Sequence, residues 1–483
     1  MNIAVAKGDG IGPEIMDAVL MIFEANRVDL KYEYVDMGKW VFDKGFSNGM
    51  TPEAQQTIEN LGILFKGPME TPKGKGVKSV NVTARKTWNT YANKRVFQTL
   101  HGVDTVFSKA GIPIDITIVR ENIEDTYGGI EHMLTHDVAL SRRFITRPGS
   151  HQLIAYAFEM ARKKGARRVT CAHKANIMKL TDGLFLDVFY EVAKEYPDLK
   201  SDDKIVDDLA MQLVVRPDQF DVIVLTNLQG DIMSDLCAGL VGGLGFAPSA
   251  NIGDHIAIFE AVHGTAPDIA GKNIANPTAL LLSGIAMLRH LGLTENASII
   301  ENALLYTLEQ GIHTGDFGDK NSPTVNTTQF AQAVIDNFGQ KPQQGAKEVI
   351  TNAPGTPAPF KLEHNAMMVS KELFTETIAG VDMFLESSEQ PEIIAQKCEH
   401  HGGNKFKLVN ISNRGTQVWP TGSRYTNLIN LYNVRFESIT NQPLTQLDII
   451  GLYVTLCADF KICSFELLNM WDDKRAYSLA QGQ

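Results

Sequence analysis

The sequence predicts a large α/β region followed by a small α+β module. Three observations lead there. Short apolar strands alternate with helix-patterned segments over residues 1–340, the alternation expected when helices cover a sheet. Periodicity then fails across 341–360, where KPQQGAKEVITNAPGTPAPF carries four prolines and reads as an extended linker. Residues 361–483 resume a pattern, in the order of roughly β-α-β-β-α-β, which is that of a two-layer module. A chain of 483 residues, at about 150 residues per domain, is long enough for two or three domains.

Asn2–Ala6 is a strand, Lys7–Gly12 a glycine turn, and Pro13 suits the first turn of the helix that follows. Ile15, Met16, Val19, Leu20 and Phe23 form its apolar face. Ile63–Pro68 reads as a strand entering a loop, and Asp115–Asn122 alternates as a strand. A helix from Ser150, a turn at Gly165 and a strand over Arg168–Ala172 come next. Phe220–Asn227 is a buried strand leading into the helix of Gly230–Gly243. Pro277–Gly292 and Ala297–Gly311 are two well-patterned helices. In the module, Gly380–Glu386, Phe406–Ser412, Thr416–Pro420, Ile429–Ser438 and Ile462–Leu468 read as strands, with helices over Glu389–Gly402 and Gln446–Phe460.

A net charge of −11 from 45 Lys+Arg and 56 Asp+Glu, with the charges interspersed, argues against general nucleic-acid binding. The five cysteines are scattered and show no CxxC or Cys/His spacing, so neither a disulfide framework nor a zinc site is expected. A reducing compartment, the cytoplasm, follows from that. The longest apolar run, Ala279–Leu288, is broken by Ser283 and Gly284, far short of the ~20 residues that span a membrane. The first strand begins almost at Met1, leaving no room for a targeting peptide.

Four segments carry residues suited to chemistry. GDGIG (Gly8–Gly12) does not have GxGxxG spacing, and a plain tight turn accounts for it as well as a ligand does. Asp231 and Asp235, four apart at the start of a helix, share one helical face. They serve either the helix dipole or a hard cation such as Mg²⁺ or Mn²⁺. Lys78–Arg95 holds Ser79, Asn81, Arg85 and Arg95, and Arg120 ends a later strand. Guanidinium forks suit carboxylates, so arginines converging on one pocket would bind a small polyanionic acid. The glycine- and proline-rich loop from Glu260, with His263 and Asp268, precedes a long helix and could offer backbone N–H groups to a phosphate.

Together these segments resemble the β-decarboxylating dehydrogenases, the family of isocitrate and 3-isopropylmalate dehydrogenases. The resemblance covers Asn2 to about Gly339 and rests on NLQGDIMSD followed by GGLG, on VREN with the later tyrosine, and on HGTAP, all in the family's order. ISNRGTQVWP in the module resembles the extra domain of one bacterial subgroup of isocitrate dehydrogenases. The resemblance implies a two-lobed α/β fold that is not the Rossmann fold, with an active site completed by a second subunit and hence a homodimer at least. It also implies metal-dependent oxidative decarboxylation. Where isopropylmalate enzymes place an apolar residue, this chain has the polar Ser79-Val80-Asn81. A hydroxyl and an amide suit a third carboxylate better than an isopropyl group, so the substrate implied is isocitrate, giving 2-oxoglutarate and CO₂ in the tricarboxylic acid cycle. Homoisocitrate, or another 2-hydroxy acid, and a non-catalytic regulatory subunit are the alternatives. The module serves either oligomerisation or regulation.

Carried over residue by residue, the resemblance gives Arg85, Arg95 and Arg120 the substrate carboxylates and Ser79 and Asn81 the γ-carboxylate. Asp231 and Asp235, with Asp207 of a neighbouring subunit, would hold Mg²⁺ or Mn²⁺. Lys174, also from the neighbour, would take the proton of the C2 hydroxyl, and Tyr127 would protonate C3. Coenzyme contacts are implied at Glu70, Thr71, Asn176, His263, Gly264, Thr265, Ala266, Pro267, Asp268, Ile269 and Asn276. Relatives that use NADP usually read Lys-Tyr after HGTAP; here Asp268-Ile269 stands there. A carboxylate accepts from the ribose hydroxyls of NAD and repels a 2′-phosphate, so NAD is expected ahead of NADP.

Overall fold

A computed structural model describes residues 1–70, 79–319, 321–350, 374–422, 425–440 and 442–479. The chain divides into two compact units, the first comprising Met1–Gly128, Phe144–Ile177 and Thr181–Ala366. Its frame is a mixed ten-stranded sheet. The strands in chain order are β1 (Asn2–Ala6), β2 (Lys31–Tyr34), β3 (Ile63–Lys66), β4 (Ala92–Gln98) and β5 (Asp115–Glu121), then, after a hairpin of β6 (Ile130–Thr135) and β7 (Val138–Arg142), β8 (Arg168–His173), β9 (Lys200–Ile205), β10 (Val222–Leu225), β11 (Pro248–Ile252) and β12 (Ala257–Ala261). Their spatial order is β2-β1-β3-β12-β11-β4-β5-β10-β8-β9. β4 runs antiparallel to both of its neighbours, β5 and β11.

Burial explains which strands the sequence announces. β3 and β10 are buried at every residue and read as apolar runs, as expected for strands covered on both faces. β2 and β9 stand at the edges and read KYEY and KSDDKI. Charged edge strands resist pairing with other chains and carry no apolar signal. The segment around Arg85 and Arg95, read as one polar stretch, is a helix over Val80–Thr87 followed by the strand β4. The helices Gly12–Ala25, Thr278–His290 and Thr294–Glu309 have their buried residues in one apolar cluster, where Phe23 stacks on Phe65 with ring centroids 6.2 Å apart.

The second unit comprises Gly129–Arg143, Met178–Leu180 and Met367–Gln483. Its antiparallel sheet has the order β15-β14-β16-β13-β17-β18, with β13 Glu376–Glu386, β14 Phe406–Asn413, β15 Thr416–Trp419, β16 Leu431–Ser438, β17 Lys461–Trp471 and β18 Lys474–Arg475. Helices Pro391–Gly402 and Gln446–Leu456 supply Ile394, Cys398, Leu452 and Leu456 to its core. The β6–β7 hairpin packs within this unit, through Arg142 to Glu466 at 2.8 Å. A buried pair, Asp382 with Arg435 at 2.7 Å, braces the sheet. Of the expected linker, 341–350 has no regular element, and Lys347 N–H donates to Asn302 Oδ1 at 2.6 Å; the remainder, 351–360, lies outside the described residues. Among the described residues no helix is long and apolar enough to cross a membrane.

Candidate active site

Adjacent strands place the candidate residues side by side. Lys66 ends β3, Glu260 lies on β12, Asn251 on β11, Asn93 and Arg95 on β4, Arg120 on β5, and Asp231 and Asp235 on the helix Asn227–Leu240 that follows β10. Asp125, in the left-handed region at φ 66°, anchors that helix by accepting the Leu228 N–H at 2.9 Å. Gly230 lets it pass close to β5, because a Cβ there would meet Arg120 Cγ at 2.6 Å. The NLQGD segment thus works as a unit. Asn227 Oδ1 accepts from Arg120 Nη2 at 2.7 Å, Gly230 makes room, and Asp231 pairs with Arg120.

The arginines converge. Arg85, Arg95 and Asn81 line a cavity of about 100 Å³ together with Glu260, His263 and Gly264. Arg95 donates to Asn93 Oδ1 at 2.7 Å and to Ser234 Oγ at 2.5 Å, and stands 3.6 Å from Asp231 and 3.9 Å from Asp235. Burial, with Arg120 and Arg85 nearby, works against the charge on Arg95; burial, with Arg85, does the same to Arg120. Crowded buried cations are relieved by anions, the state a bound polycarboxylate supplies. Tyr127 donates its phenol to Asp231 Oδ2 at 2.7 Å, and Arg120 lies 4.9 Å from its ring centroid. Burial and the Asp231 contact hold that phenol above its ordinary value.

The two aspartates differ. Burial opposes the charge on Asp231, but Arg120, Tyr127 and Arg95 outweigh it and depress its pKa. Burial raises that of Asp235, which Arg95 opposes. An oxygen-only pair four residues apart, partly open to solvent, fits a hard cation that takes its other oxygens from substrate and water. Among the described residues no three His, Cys, Asp or Glu side chains gather as a metal site within one chain. Asp207 instead pairs with Lys174. No hydrogen bond or ion pair joins either of them to the arginines or to Asp231 and Asp235. Lys174 sits in a turn where its own N–H donates to Asp182 at 2.6 Å, and Gln229 donates to the same carboxylate at 2.8 Å. Asn176 is exposed two residues on.

The remaining expected positions are spread around this core. Ser79 caps the helix Val80–Thr87 through its carbonyl, which accepts the Thr83 N–H at 2.9 Å. Thr265 carbonyl accepts the Ile11 N–H at 2.9 Å, and a Cβ on Gly10 would meet that carbonyl at 2.1 Å. GDGIG is therefore a turn that lets backbone approach the HGTAP loop. Asp9 within it accepts the Glu70 N–H at 2.9 Å, while Thr71 lies outside the described residues. Ala266 adopts φ 39° ahead of the turn Pro267–Ile269, where Asp268 is exposed. Asn276 donates to Asp316 at 3.1 Å.

Two buried charges, Glu260 on the cavity wall and Lys66 behind it, escape the sequence reading. Glu260 pairs with Lys66 at 2.5 Å and with Arg85 at 2.9 Å, and Lys66 donates to Asn81 Oδ1 at 2.8 Å. Burial opposes ionisation of Glu260, yet Lys66 and Arg85 outweigh it and hold the carboxyl well below its usual range. The available signal was a lone charge in each of two apolar runs, ILFK and AIFEA. Buried charges are seldom left unpaired.

Residues 2–334 match the family model described as isocitrate/isopropylmalate dehydrogenase, and residues 376–483 match that of the bacterial isocitrate dehydrogenase C-terminal domain. The chain is 44% identical to isocitrate dehydrogenase [NADP] of Thermus thermophilus, over 100% of this chain and 96% of that one. It is 46% identical to isocitrate dehydrogenase [NAD] catalytic subunit 5, mitochondrial, of Arabidopsis thaliana, over 68% of this chain and 87% of the relative. A crystal structure of a Thermus thermophilus protein superposes with a TM-score of 0.92 at 43% identity, covering 100% of this chain and 96% of its own.

Proposed function

We propose that this chain, which belongs to the isocitrate/isopropylmalate dehydrogenase family, oxidises and decarboxylates isocitrate to 2-oxoglutarate and CO₂ in the tricarboxylic acid cycle. The observation that carries this reading is the convergence of Arg85, Arg95 and Asn81 on one cavity, with Arg120, Tyr127 and Asp231 bonded beside it. Arginines orient carboxylates without supplying an acid. Asn81, held by Lys66, gives that cavity a hydrogen-bonding wall where an isopropyl group would want an apolar one.

Asp231 and Asp235, with Asp207 of a second subunit, would hold a divalent cation. When bound, the cation supplies a Lewis acid at the C2 oxygen and the nicotinamide supplies the hydride acceptor. The chain's own residues handle the protons. Lys174 of the second subunit takes the hydroxyl proton as C2 is oxidised. Loss of CO₂ then leaves an enolate, and the Tyr127 phenol delivers a proton to C3. The pairing of Lys174 with Asp207, apart from the arginines, supports a site built from two subunits. So do the exposed Met211 and Val215 on the helix Val206–Val215 and Ile232 on Asn227–Leu240, since exposed apolar residues favour association.

For the coenzyme we propose NAD, on Asp268-Ile269. The relatives matched over the full length carry NADP in their names, whereas the Arabidopsis relative, matched over the region that holds the site, carries NAD. The test is steady-state kcat/KM with Mn²⁺ for isocitrate, homoisocitrate and 3-isopropylmalate, each with NAD and NADP. Preference for isocitrate with NAD is expected. A preference for homoisocitrate would sink the substrate assignment, and a preference for NADP the role of Asp268.

A further inference from the structure

Lys174 follows β8 on a turn that leads to the helix Thr181–Ala193. Hydrogen bonds fix the backbone of that turn. Lys174 N–H donates to Asp182 Oδ2 at 2.6 Å, Ala175 N–H donates to His173 Nδ1 at 3.0 Å, and Ile177 N–H donates to the Lys174 carbonyl at 3.0 Å. Because Nδ1 accepts, the ring proton of His173 sits on Nε2, which donates to Asp203 at 3.0 Å. Tyr190 donates its phenol to the same Asp203 carboxylate. His173 and Asp182 are both buried, and the Lys174 side chain leaves this frame to pair with Asp207.

Asp182 also ties the turn to a second element. Gln229 Nε2 donates to Asp182 Oδ2 at 2.8 Å. A carboxylate oxygen only accepts, so the Gln229 amide turns its NH₂ toward Asp182, and its buried Oε1 finds no partner among the described residues. A buried acceptor left unpaired costs stability, so the bond made by the amide nitrogen is what favours glutamine here over an apolar side chain of the same length. Gln229 lies on the helix Asn227–Leu240, two residues before Asp231. At about 3.6 residues per turn, a step of two residues turns about 200° around the axis, so Gln229 and Asp231 leave the helix on opposite sides. One side reaches Arg120 and Tyr127 through Asp231. The other reaches the Lys174 turn through Asp182.

We propose that Gln229, acting through Asp182, is a positioning residue for Lys174, and therefore for the reaction in the neighbouring subunit's site. This rests on the reading of Lys174 as a group lent to that site. The lending chain then sets the place of its lysine with the same helix that places its own Asp231 and Asp235. Asp182 takes both donors on one oxygen. Without Gln229 its carboxylate is free to turn, and the Lys174 N–H that it holds turns with it. A misplacement of about 1 Å in a reacting group costs up to about 10²-fold in rate.

A hybrid dimer shows which chain needs Gln229. One full-length chain carries Tyr127→Phe and lends an intact Lys174. The other carries Lys174→Met and keeps an intact Tyr127. Two different affinity tags isolate the hybrid, whose single working site joins Tyr127 of the second chain to Lys174 of the first. Gln229→Met is then added to one chain or to the other, and rates are measured with Mn²⁺, isocitrate and coenzyme. On the lending chain it should lower kcat at least about fivefold, with the KM for isocitrate held within about twofold. On the other chain, where it shares a helix with the working Asp231, kcat should stay within about twofold. An equal loss in both placements, a larger loss on the chain with intact Tyr127, or no loss in either overturns the proposal while leaving the shared site standing. A parent hybrid with no activity overturns the shared site, and the proposal with it. Gln229→Glu keeps the length and sets a second carboxylate against Asp182. It should show the same dependence on placement, and it decides the matter where Gln229→Met does not assemble.

Discussion

Asn93 and Asn251 face each other in register across β4 and β11, and Asn93 Nδ2 donates to Asn251 Oδ1 at 2.8 Å. Asn251 in turn donates to Glu260 at 2.7 Å, and Asn93 accepts from Arg95 at 2.7 Å. One buried chain of hydrogen bonds therefore runs from Lys66 and Arg85, through Glu260 and the two amides, to Arg95. It fixes the separation of two arginines proposed to hold the substrate, Arg85 on the helix Val80–Thr87 and Arg95 on β4. Asn93→Leu keeps the volume and breaks the chain, leaving Arg95 Nε without its acceptor at a cost of about 1–3 kcal/mol, while Asn251 Oδ1 keeps the Asn122 amide at 3.0 Å. The expected result is a KM for isocitrate raised at least about tenfold with the KM for coenzyme unchanged; an unchanged KM for isocitrate counts against the relay.

Tyr127→Phe removes the proposed proton donor and the bond to Asp231 while keeping the ring against Arg120. Because burial holds the phenol above its ordinary value of about 10, Tyr127 stays protonated through neutral pH. The variant should lose about 10²–10⁴ in kcat, with a smaller change in KM, when initial rates are compared. A kcat within threefold of wild type would remove Tyr127 from the proton path.

Subunit sharing has a clean test. Chains carrying Tyr127→Phe or Lys174→Met should each be inactive. If Lys174 serves the neighbouring site, mixing and reassembling them creates hybrid dimers with one intact site. Random pairing then restores about a quarter of wild-type activity. A mixture that stays inactive places both residues in the same subunit's site.

Coenzyme choice should respond to one exposed charge. Asp268→Lys replaces the carboxylate proposed to accept from ribose hydroxyls with an ammonium that would attract a 2′-phosphate. The ratio of kcat/KM for NAD to that for NADP should fall by at least about tenfold, or about 1.4 kcal/mol. A ratio that does not move would show that position 268 lies away from the ribose.

Glu260 predicts how acid unfolds the first unit. Its carboxyl titrates below the ordinary value in the folded state because Lys66 and Arg85 outweigh burial. Between that ordinary value, about 4.3, and the folded value, the unfolded chain binds the extra proton. The stability from this group is therefore complete above the ordinary value and is lost as pH falls through the folded one. Melting temperature against pH should show a loss below pH ~4 that Glu260→Gln lacks. Near neutrality the variant should be less stable by about 3–5 kcal/mol, because Lys66 is left buried without its partner. An acid limb unchanged by the substitution would contradict the pairing.

Much of this protein was legible as sequence. β3, β10 and the helices Gly12–Ala25, Thr278–His290 and Thr294–Glu309 are apolar at the period of their own geometry, so local pattern and tertiary burial agree. NLQGD carried its chemistry in order, because Asn227, Gly230 and Asp231 all act on Arg120 from one helix. Edge strands β2 and β9, and the polar strand β4, had no such signal. The convergence of Arg85, Arg95 and Arg120 was out of reach of the sequence, since it depends on β4 lying between β5 and β11, an ordering that no local pattern encodes. Nor could pattern reveal that Lys66 and Glu260, 194 positions apart in a chain of 483, pair beneath Asn81. The sequence by itself determined which residues have the chemistry for a polycarboxylate and a hard cation. Only the tertiary structure decided which of them share a cavity, because charge pairing in a buried site is set by strand order across the sheet and not by distance along the chain.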